Sequence, residues 1–244
     1  MNKLYKIFEV SDILLEVVDA RFPKDSRIYK LEKLAKKMGK KLIIVINKSD
    51  LVPEDFLYLV KEEFNVEFPT VYISCKTRKG SRELRRKIKD LIPKEKKKVY
   101  IGVFGYPNTG KSSTINLLVG RGRAKVSPVP GFTKGLQLIK LSKKVYLIDS
   151  PGVIIPKKEE ILAVLGSLDP SKLKNPISSV KFLLDKIQKE NILETYGIDN
   201  YSSVEDLLIK LREKYNVRLE NWKDWLSRKI LYDWINGKIK GYWL

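Results

Sequence analysis

Val99-Tyr100-Ile101-Gly102-Val103-Phe104-Gly105-Tyr106-Pro107-Asn108-Thr109-Gly110-Lys111-Ser112 is an apolar run that breaks into a glycine-bracketed loop closed by a lysine and a hydroxyl. The first six residues read as a buried strand, and Lys111 to Leu118 as a helix. Strand, G-x-x-x-x-G-K-S loop and helix in that order make a phosphate cradle. Its glycines let backbone N–H groups turn inward at the positive end of the helix. Lys111 is placed to reach the β- and γ-phosphates and the Ser112 hydroxyl to bind Mg²⁺, with Asn108, Thr109, Gly110 and Ser113 completing the loop. The stretch decides for an α/β fold and names a ligand class, a nucleoside polyphosphate.

Downstream, a Gly/Pro/basic loop from Gly120 to Gly135 leads into two strands, Leu136–Leu141 and Val145–Asp149, joined by a short turn. Asp149-Ser150-Pro151-Gly152 follows. A carboxylate there would hold Mg²⁺ through water, and the Gly152 N–H would meet the γ-phosphate. Alone, Asp-x-Pro-Gly is a common turn; its place beyond a phosphate loop argues for the functional reading. Thr133, in Pro130-Gly131-Phe132-Thr133-Lys134-Gly135, would complete the metal shell and close over the γ-phosphate.

Upstream, Ile13–Asp19 and Leu42–Ile46 are continuous apolar strands, and Val71–Ile73 is a third. Helices are expected over 30–37, closed by Gly39, from Pro53 to Glu63, and over 82–91. Strands alternating with helices at this spacing predict a mainly parallel sheet. Asn47-Lys48-Ser49-Asp50 therefore sits at the carboxyl edge of that sheet, where ligands bind. The Asp50 carboxylate can accept from N1–H and the 2-amino group of guanine; adenine lacks that amino group and presents a lone pair at N1. The stem of Lys48 can lie across the base face. Ser74-Cys75-Lys76 ends the next strand, where the Cys75 N–H is placed to donate to guanine O6. A buried strand end is the alternative reading of that tripeptide.

From about Pro156 the pattern is helical only. Ser202-Ser203-Val204-Glu205 reads as a capping box with Ser202 at the cap, and Val204, Leu207, Leu208 and Leu211 share one face. Trp222, Trp225, Leu226 and Ile230 recur at helical spacing and read as core rather than as an RNA-stacking surface. The expected organisation is a nucleotide-binding domain over 1–155 and an all-helical domain over 156–244.

The chain of 244 residues has one Cys and no His, which excludes an internal disulfide, a cysteine-rich metal site and histidine acid–base chemistry. No apolar run is long enough for a membrane helix, and the N-terminus does not read as a signal peptide, so a cytoplasmic protein is expected. The net charge of +20 is uneven: residues 1–152 carry 33 Lys/Arg against 16 Asp/Glu, and Lys76–Lys98 carries 12 against 3. Such a charge suits a polyanionic partner, although a lysine-rich solvated face is the alternative.

The order of the motifs is the unusual feature. A parallel sheet joined by surface loops can be cut in one loop and rejoined at another without changing its packing. Here the base readers precede the phosphate loop. With Val18-Asp19-Ala20-Arg21-Phe22-Pro23, Ser26-Arg27 and a tail Arg228-Lys229-Ile230-Leu231, Gly237-Lys238 and Gly241, the chain resembles the circularly permuted GTPases, and within them the YlqF/RbgA-type ribosome-assembly branch. The resemblance implies a circularly permuted P-loop GTPase fold, GTP/GDP with Mg²⁺ as ligands, GTP hydrolysis coupled to maturation of the large ribosomal subunit, and a helical domain that touches rRNA. It further implies that Asn108 helps hold K⁺ beside the phosphates, in the role of an arginine finger. The catalytic set it suggests is Lys111, Thr133 and Gly152. The family's Phe-Pro-Gly-His segment is not found here, so the role of that His does not carry over. Where Ras-like enzymes place a water-orienting Gln, this chain has Val153, and slow intrinsic turnover is expected. Two other readings stay open: an RNA-binding scaffold holding a structural guanine nucleotide with little turnover, and an ATP-using kinase, against which Asp50 speaks.

Overall fold

Five runs rich in Val, Ile and Leu lie side by side because β-branched residues with both faces buried suit the middle of a parallel sheet. The computed structural model describes residues 2–120, 126–127, 137–150, 152 and 156–244. The strands are β1 (Ile13–Asp19), β2 (Lys41–Asn47), β3 (Thr70–Tyr72), β4 (Val99–Phe104), β5 (Val126–Ser127), β6 (Gln137–Lys140) and β7 (Val145–Asp149). They form one sheet in the order β3-β2-β1-β4-β7-β6-β5. The first five in that order run parallel, while β6 and β5 are antiparallel additions at one edge.

All seven residues of β1 are buried. That follows from its central place between β2 and β4, where a strand has no solvated face. Its register sets Asp19 opposite Asn47, and the β4–β7 register sets Val103 opposite Asp149. The polar ends of β1, β2 and β7 therefore come out along the same edge, beside the loop that leaves β4.

Helices α1 (Asn2–Val10), α2 (Tyr29–Lys37), α3 (Glu54–Asn65), α4 (Ser81–Leu91) and α5 (Lys111–Val119) complete this unit. One hydrophobic cluster joins Ile13, Leu15, Val17, Ile43, Val45, Leu84, Ile88, Val103 and Leu118, so α4 and α5 pack with the sheet. The sequence reading passed over α1. Its Ile7 and Phe8 are fully buried, Phe8 lies 5.0 Å from the Phe104 ring, and Ser11 donates to the Ile7 carbonyl at 2.6 Å. The two-residue β5 was also read as loop.

Chain contacts divide the molecule into one unit over 1–154 and a second over 155–243. The second is built of α6 (Glu159–Val164), α7 (Pro176–Leu184), α8 (Lys189–Tyr196), α9 (Val204–Lys214) and α10 (Trp222–Ile235). The cap of α9 is Ser203, not Ser202. The Ser203 hydroxyl accepts from the Asp206 N–H at 3.1 Å, and Ser202 is held by the Asp206 carboxylate instead. The Asp206 carboxylate accepts from the Ser202 N–H at 2.7 Å rather than from the N–H of the cap residue, so the reciprocal bond of a capping box goes to the residue before the cap.

The tail residues Arg228, Lys229 and Lys238 have structural partners. Arg228 donates to the carbonyls of Pro170 and Leu173. Lys229 and Lys238 flank the buried Asp233 at 2.5 and 2.9 Å. On α10, Leu226 and Ile230 are fully buried, but Trp225 is 42% exposed. The expectation of a four-residue core stripe is corrected at that position: three residues on from Trp222, Trp225 falls at the outer margin of the buried face.

Candidate functional site

The loop after β4 enters α5 through Gly110, whose φ is +96°. A Cβ there would lie 2.0 Å from Asn47 Nδ2, so only glycine lets the loop meet the end of β2. The contact is a bond. Asn47 Nδ2 donates to the Thr109 carbonyl at 2.9 Å, and Asn47 Oδ1 accepts from the Cys75 N–H at 3.3 Å. One buried amide thus ties together three stretches far apart in sequence, those at 47, 75 and 109.

Lys111, at the first turn of α5, is buried and its Nζ donates to the Tyr106 carbonyl at 2.7 Å. Burial pulls its ammonium down to about 8, against the opposing pull of Asp149. Thr109 donates its hydroxyl to the same Tyr106 carbonyl at 2.9 Å, closing the loop on itself. Asn108 is exposed with φ +60°, a left-handed conformation that Asn tolerates well, and Ser113 is exposed on α5.

The Ser112 hydroxyl donates to Asp149 Oδ2 at 3.3 Å. The other oxygen, Asp149 Oδ1, is buried and makes no hydrogen bond among the described residues, and burial pushes this carboxyl above its ordinary range. A carboxylate oxygen without a donor, beside a hydroxyl at the phosphate loop, suits a hard cation that keeps waters and phosphate oxygens in its shell. Among the described residues no group of three or more His, Cys, Asp and Glu forms a metal cage. Mg²⁺ is compatible with that donor set, because it is usually held by few protein oxygens together with substrate phosphates. Gly152 sits against the loop: a Cβ there would lie 2.9 Å from Pro107 Cγ. Thr133, with Gly131 and Phe132, lies outside the described residues, as do Pro151 and Val153.

On the other side of Asn47, Asp50 is exposed and its Oδ1 accepts from the Ser74 hydroxyl at 2.6 Å. Ser74 Oγ in turn accepts from the Thr77 N–H at 3.0 Å, and Lys76 is exposed. The Cys75 N–H, expected to face guanine O6, here donates to Asn47, and burial raises the Cys75 thiol above its ordinary range. Lys48 is left-handed at φ +64°, and its Nζ lies 2.7 Å from Asp19 Oδ2. Sequence reasoning missed Asp19 as a partner of this lysine. Its signal was the register, which sets Asp19 beside Asn47 at the end of the neighbouring strand.

A second surface belongs to α4. Arg82, Arg86 and Lys89 fall at i, i+4 and i+7 and are all exposed, giving a cationic ridge on one face of the helix. In the helical unit, Trp222 is half-buried with the Arg212 guanidinium 4.8 Å from its ring.

A model of the RsgA GTPase family matches residues 13–157, and a model described as 50S ribosome-binding GTPase matches residues 100–216. The second match begins at the phosphate-loop strand and leaves Asn47–Asp50 outside it, as a permuted order requires. An uncharacterized GTP-binding protein of Methanocaldococcus jannaschii is 39% identical over 97% of this chain and 65% of its own length. Nuclear/nucleolar GTPase 2 of Arabidopsis thaliana is 32% identical over 98% of the chain and 43% of its own length. Nucleolar GTP-binding protein 2 of Schizosaccharomyces pombe is 30% identical over 98% and 47%. The chain thus spans between two fifths and two thirds of the length of these relatives. Among solved structures, GNP-bound YlqF from T. maritima superposes with a TM-score of 0.70 at 20% identity, covering 98% of this chain and 94% of that one. A GDP-bound YlqF structure gives 0.68. The chain belongs to the RsgA GTPase family, as a circularly permuted GTPase with the YlqF-type order of motifs and fold.

Proposed function

We propose that this chain binds GTP with its base against Asn47–Asp50 and Cys75 and its phosphates in Gly105–Ser113, hydrolyses it to GDP and phosphate, and acts in assembly of the large ribosomal subunit. The observation that carries the reading is the Asn47 amide, which bonds to Thr109 of the phosphate loop and to Cys75 at the end of β3. A base-reading edge and a phosphate loop held by one side chain suit a single nucleotide.

In this reading Asp50 selects guanine, Lys48 covers the base face and Lys76 lies at the rim. Ser74 fixes the Asp50 carboxylate from its 2.6 Å bond, so the acceptor pair is oriented before the base arrives. Lys111 leaves the Tyr106 carbonyl and neutralises phosphate charge. Ser112 and Asp149, with Thr133, would hold Mg²⁺; when bound, the ion supplies charge neutralisation at the phosphate oxygens. Gly152, packed on Pro107, offers its N–H toward the γ-phosphate. Asn108 would hold K⁺. Neither Val153 nor any histidine supplies a water-orienting group, so turnover is slow until the partner arrives.

The partner is rRNA or the large subunit. The charge of +20, the cationic ridge of α4 and the exposed Trp225 are suited to a phosphate backbone and its bases. In this reading the chain works in the cytoplasm. No helix among the described residues is long and apolar enough to cross a membrane. The test is multiple turnover of GTP with and without large subunits, in K⁺ and in Na⁺. The reading expects subunits to raise the rate and K⁺ to exceed Na⁺. A chain that retains GDP with no turnover under any of these conditions is the RNA-binding scaffold instead.

A further inference from the structure

Lys48 follows the last residue of β2 and has a left-handed backbone, φ +64° and ψ 33°. Its ammonium does not reach solvent as a free end. It lies 2.7 Å from Asp19 Oδ2, and its side chain is only 22% exposed. Asp19 is itself buried and is gripped from the other side. Arg21 donates from its backbone N–H and from Nε to Oδ1, both at 3.0 Å, and from Nη2 to Oδ2 at 2.9 Å. The Asp19 N–H donates to Ser26 Oγ at 3.0 Å, and Ser26 donates back to the carbonyl of Phe22. The carboxylate is therefore immobile, and the lysine is moored to it.

An isolated Asp–Arg pair in a strand end satisfies its own charge, so the second cation needs a reason. Burying two positive side chains on one carboxylate leaves a net positive cluster, which costs stability rather than adding it. Burial lowers the Lys48 ammonium, with Asp19 opposing, and the same two cations hold the Asp19 carboxyl far below its ordinary range. The arrangement gains something only if a fixed path for the lysine stem is useful. With the backbone at 48 set by the left-handed turn and Nζ held at Asp19, the four methylenes between them are fixed at both ends. That makes a rigid apolar rail beside Asp50, and a rail of fixed position loses no rotamer freedom when a flat ring settles on it.

We propose that Asp19, locked by Arg21, is a positioning residue for purine binding: it tethers the Lys48 ammonium so that the lysine stem is preformed as the platform for the base. The inference rests on the guanine-nucleotide reading of the site and deepens it. It assigns work to the Asp19-Ala20-Arg21 stretch, which touches neither base nor phosphate in this account.

The consequence is a base-dependent effect. Lys48→Met keeps an unbranched apolar stem and leaves the Asp19–Arg21 pair intact, but removes the tether. Binding of GDP and of inorganic tripolyphosphate is measured by calorimetry on wild type, Lys48→Met, Asp19→Asn and the double variant, with melting curves on each. GDP is expected to weaken about 10- to 100-fold in Lys48→Met, the worth of a charge-assisted hydrogen bond, while tripolyphosphate is unchanged. Asp19→Asn should show the same split, and in the Lys48→Met background it should add less than about threefold, because coupled partners are not additive. Lys48→Met that binds GDP as wild type does, or that loses GDP and tripolyphosphate alike, overturns the proposal. So does a full additional loss from Asp19→Asn in the double variant. A wild-type chain that binds tripolyphosphate but ignores GDP would end the guanine reading itself, whereas GDP binding with indifferent variants ends this inference alone.

Discussion

Replacing Asn47 by Ala removes a side chain that is 2% exposed and serves two partners. The Thr109 carbonyl loses a donor at 2.9 Å, and the Cys75 N–H loses an acceptor at 3.3 Å. A buried polar group left unsatisfied costs about 1–3 kcal/mol, with the longer bond at the low end, so the ligand-free chain should lose about 2–4 kcal/mol. For the sheet-bearing unit that is a fall of roughly 4–16 °C in melting temperature. The nucleotide affinity should fall as well, because the phosphate loop loses the pin that sets it beside the base edge; about 5- to 30-fold is expected if half of that energy is preorganisation. Asn47→Asp separates the two bonds. It keeps an acceptor for Cys75 but sets a carboxylate oxygen against the Thr109 carbonyl, so it should melt no higher than Asn47→Ala. Thermal unfolding followed by dye or circular dichroism, with GDP titration calorimetry on the same samples, reads both effects. Asn47→Ala that melts within about 1 °C of wild type and binds GDP equally would refute the reasoning that this amide joins the two halves of the site.

In the ligand-free chain Lys111 is lowered to about 8 from its ordinary 10.5, so between those values the unfolded chain binds more protons and stability rises with pH. Bound phosphate should restore the charge, giving uptake of about 0.7 proton per GDP at pH 8.5 and about 0.1 at pH 7, read by calorimetry in buffers of different ionisation enthalpy. No uptake at pH 8.5, or uptake that persists in Lys111→Met, would contradict it. Neutralising the α4 ridge with Arg82→Gln, Arg86→Gln and Lys89→Gln together should weaken rRNA binding and flatten the salt dependence by about two to three in log–log slope, with GDP affinity unchanged. An unchanged slope would mean that the ridge is simply solvated.

Much of the site was legible because its residues sit in motifs fixed to strand ends. The run Val99–Phe104 and the octet after it fixed both a strand and its ligand class, and Asn47–Asp50 followed an apolar run that had to be central in the sheet. The mooring of Lys48 was not legible. Asp19 and Lys48 are far apart in sequence, and only the β1–β2 register, a long-range property, makes them neighbours. Helix α1 escaped notice because Ile7 and Phe8 are a short apolar pair among charged residues, and their burial depends on Phe104. The misplaced cap before α9 had a local cause: two adjacent serines offer two caps, and it is the Ser203 hydroxyl that meets the Asp206 N–H.

The direct test of a single guanine-nucleotide site is base exchange at Asp50. Asp50→Asn should lose GDP and gain xanthosine diphosphate, because an amide donates where a carboxylate accepts, while Lys111→Ala should lose both ligands together. An Asp50→Asn chain that still prefers GDP by the wild-type margin would contradict the account.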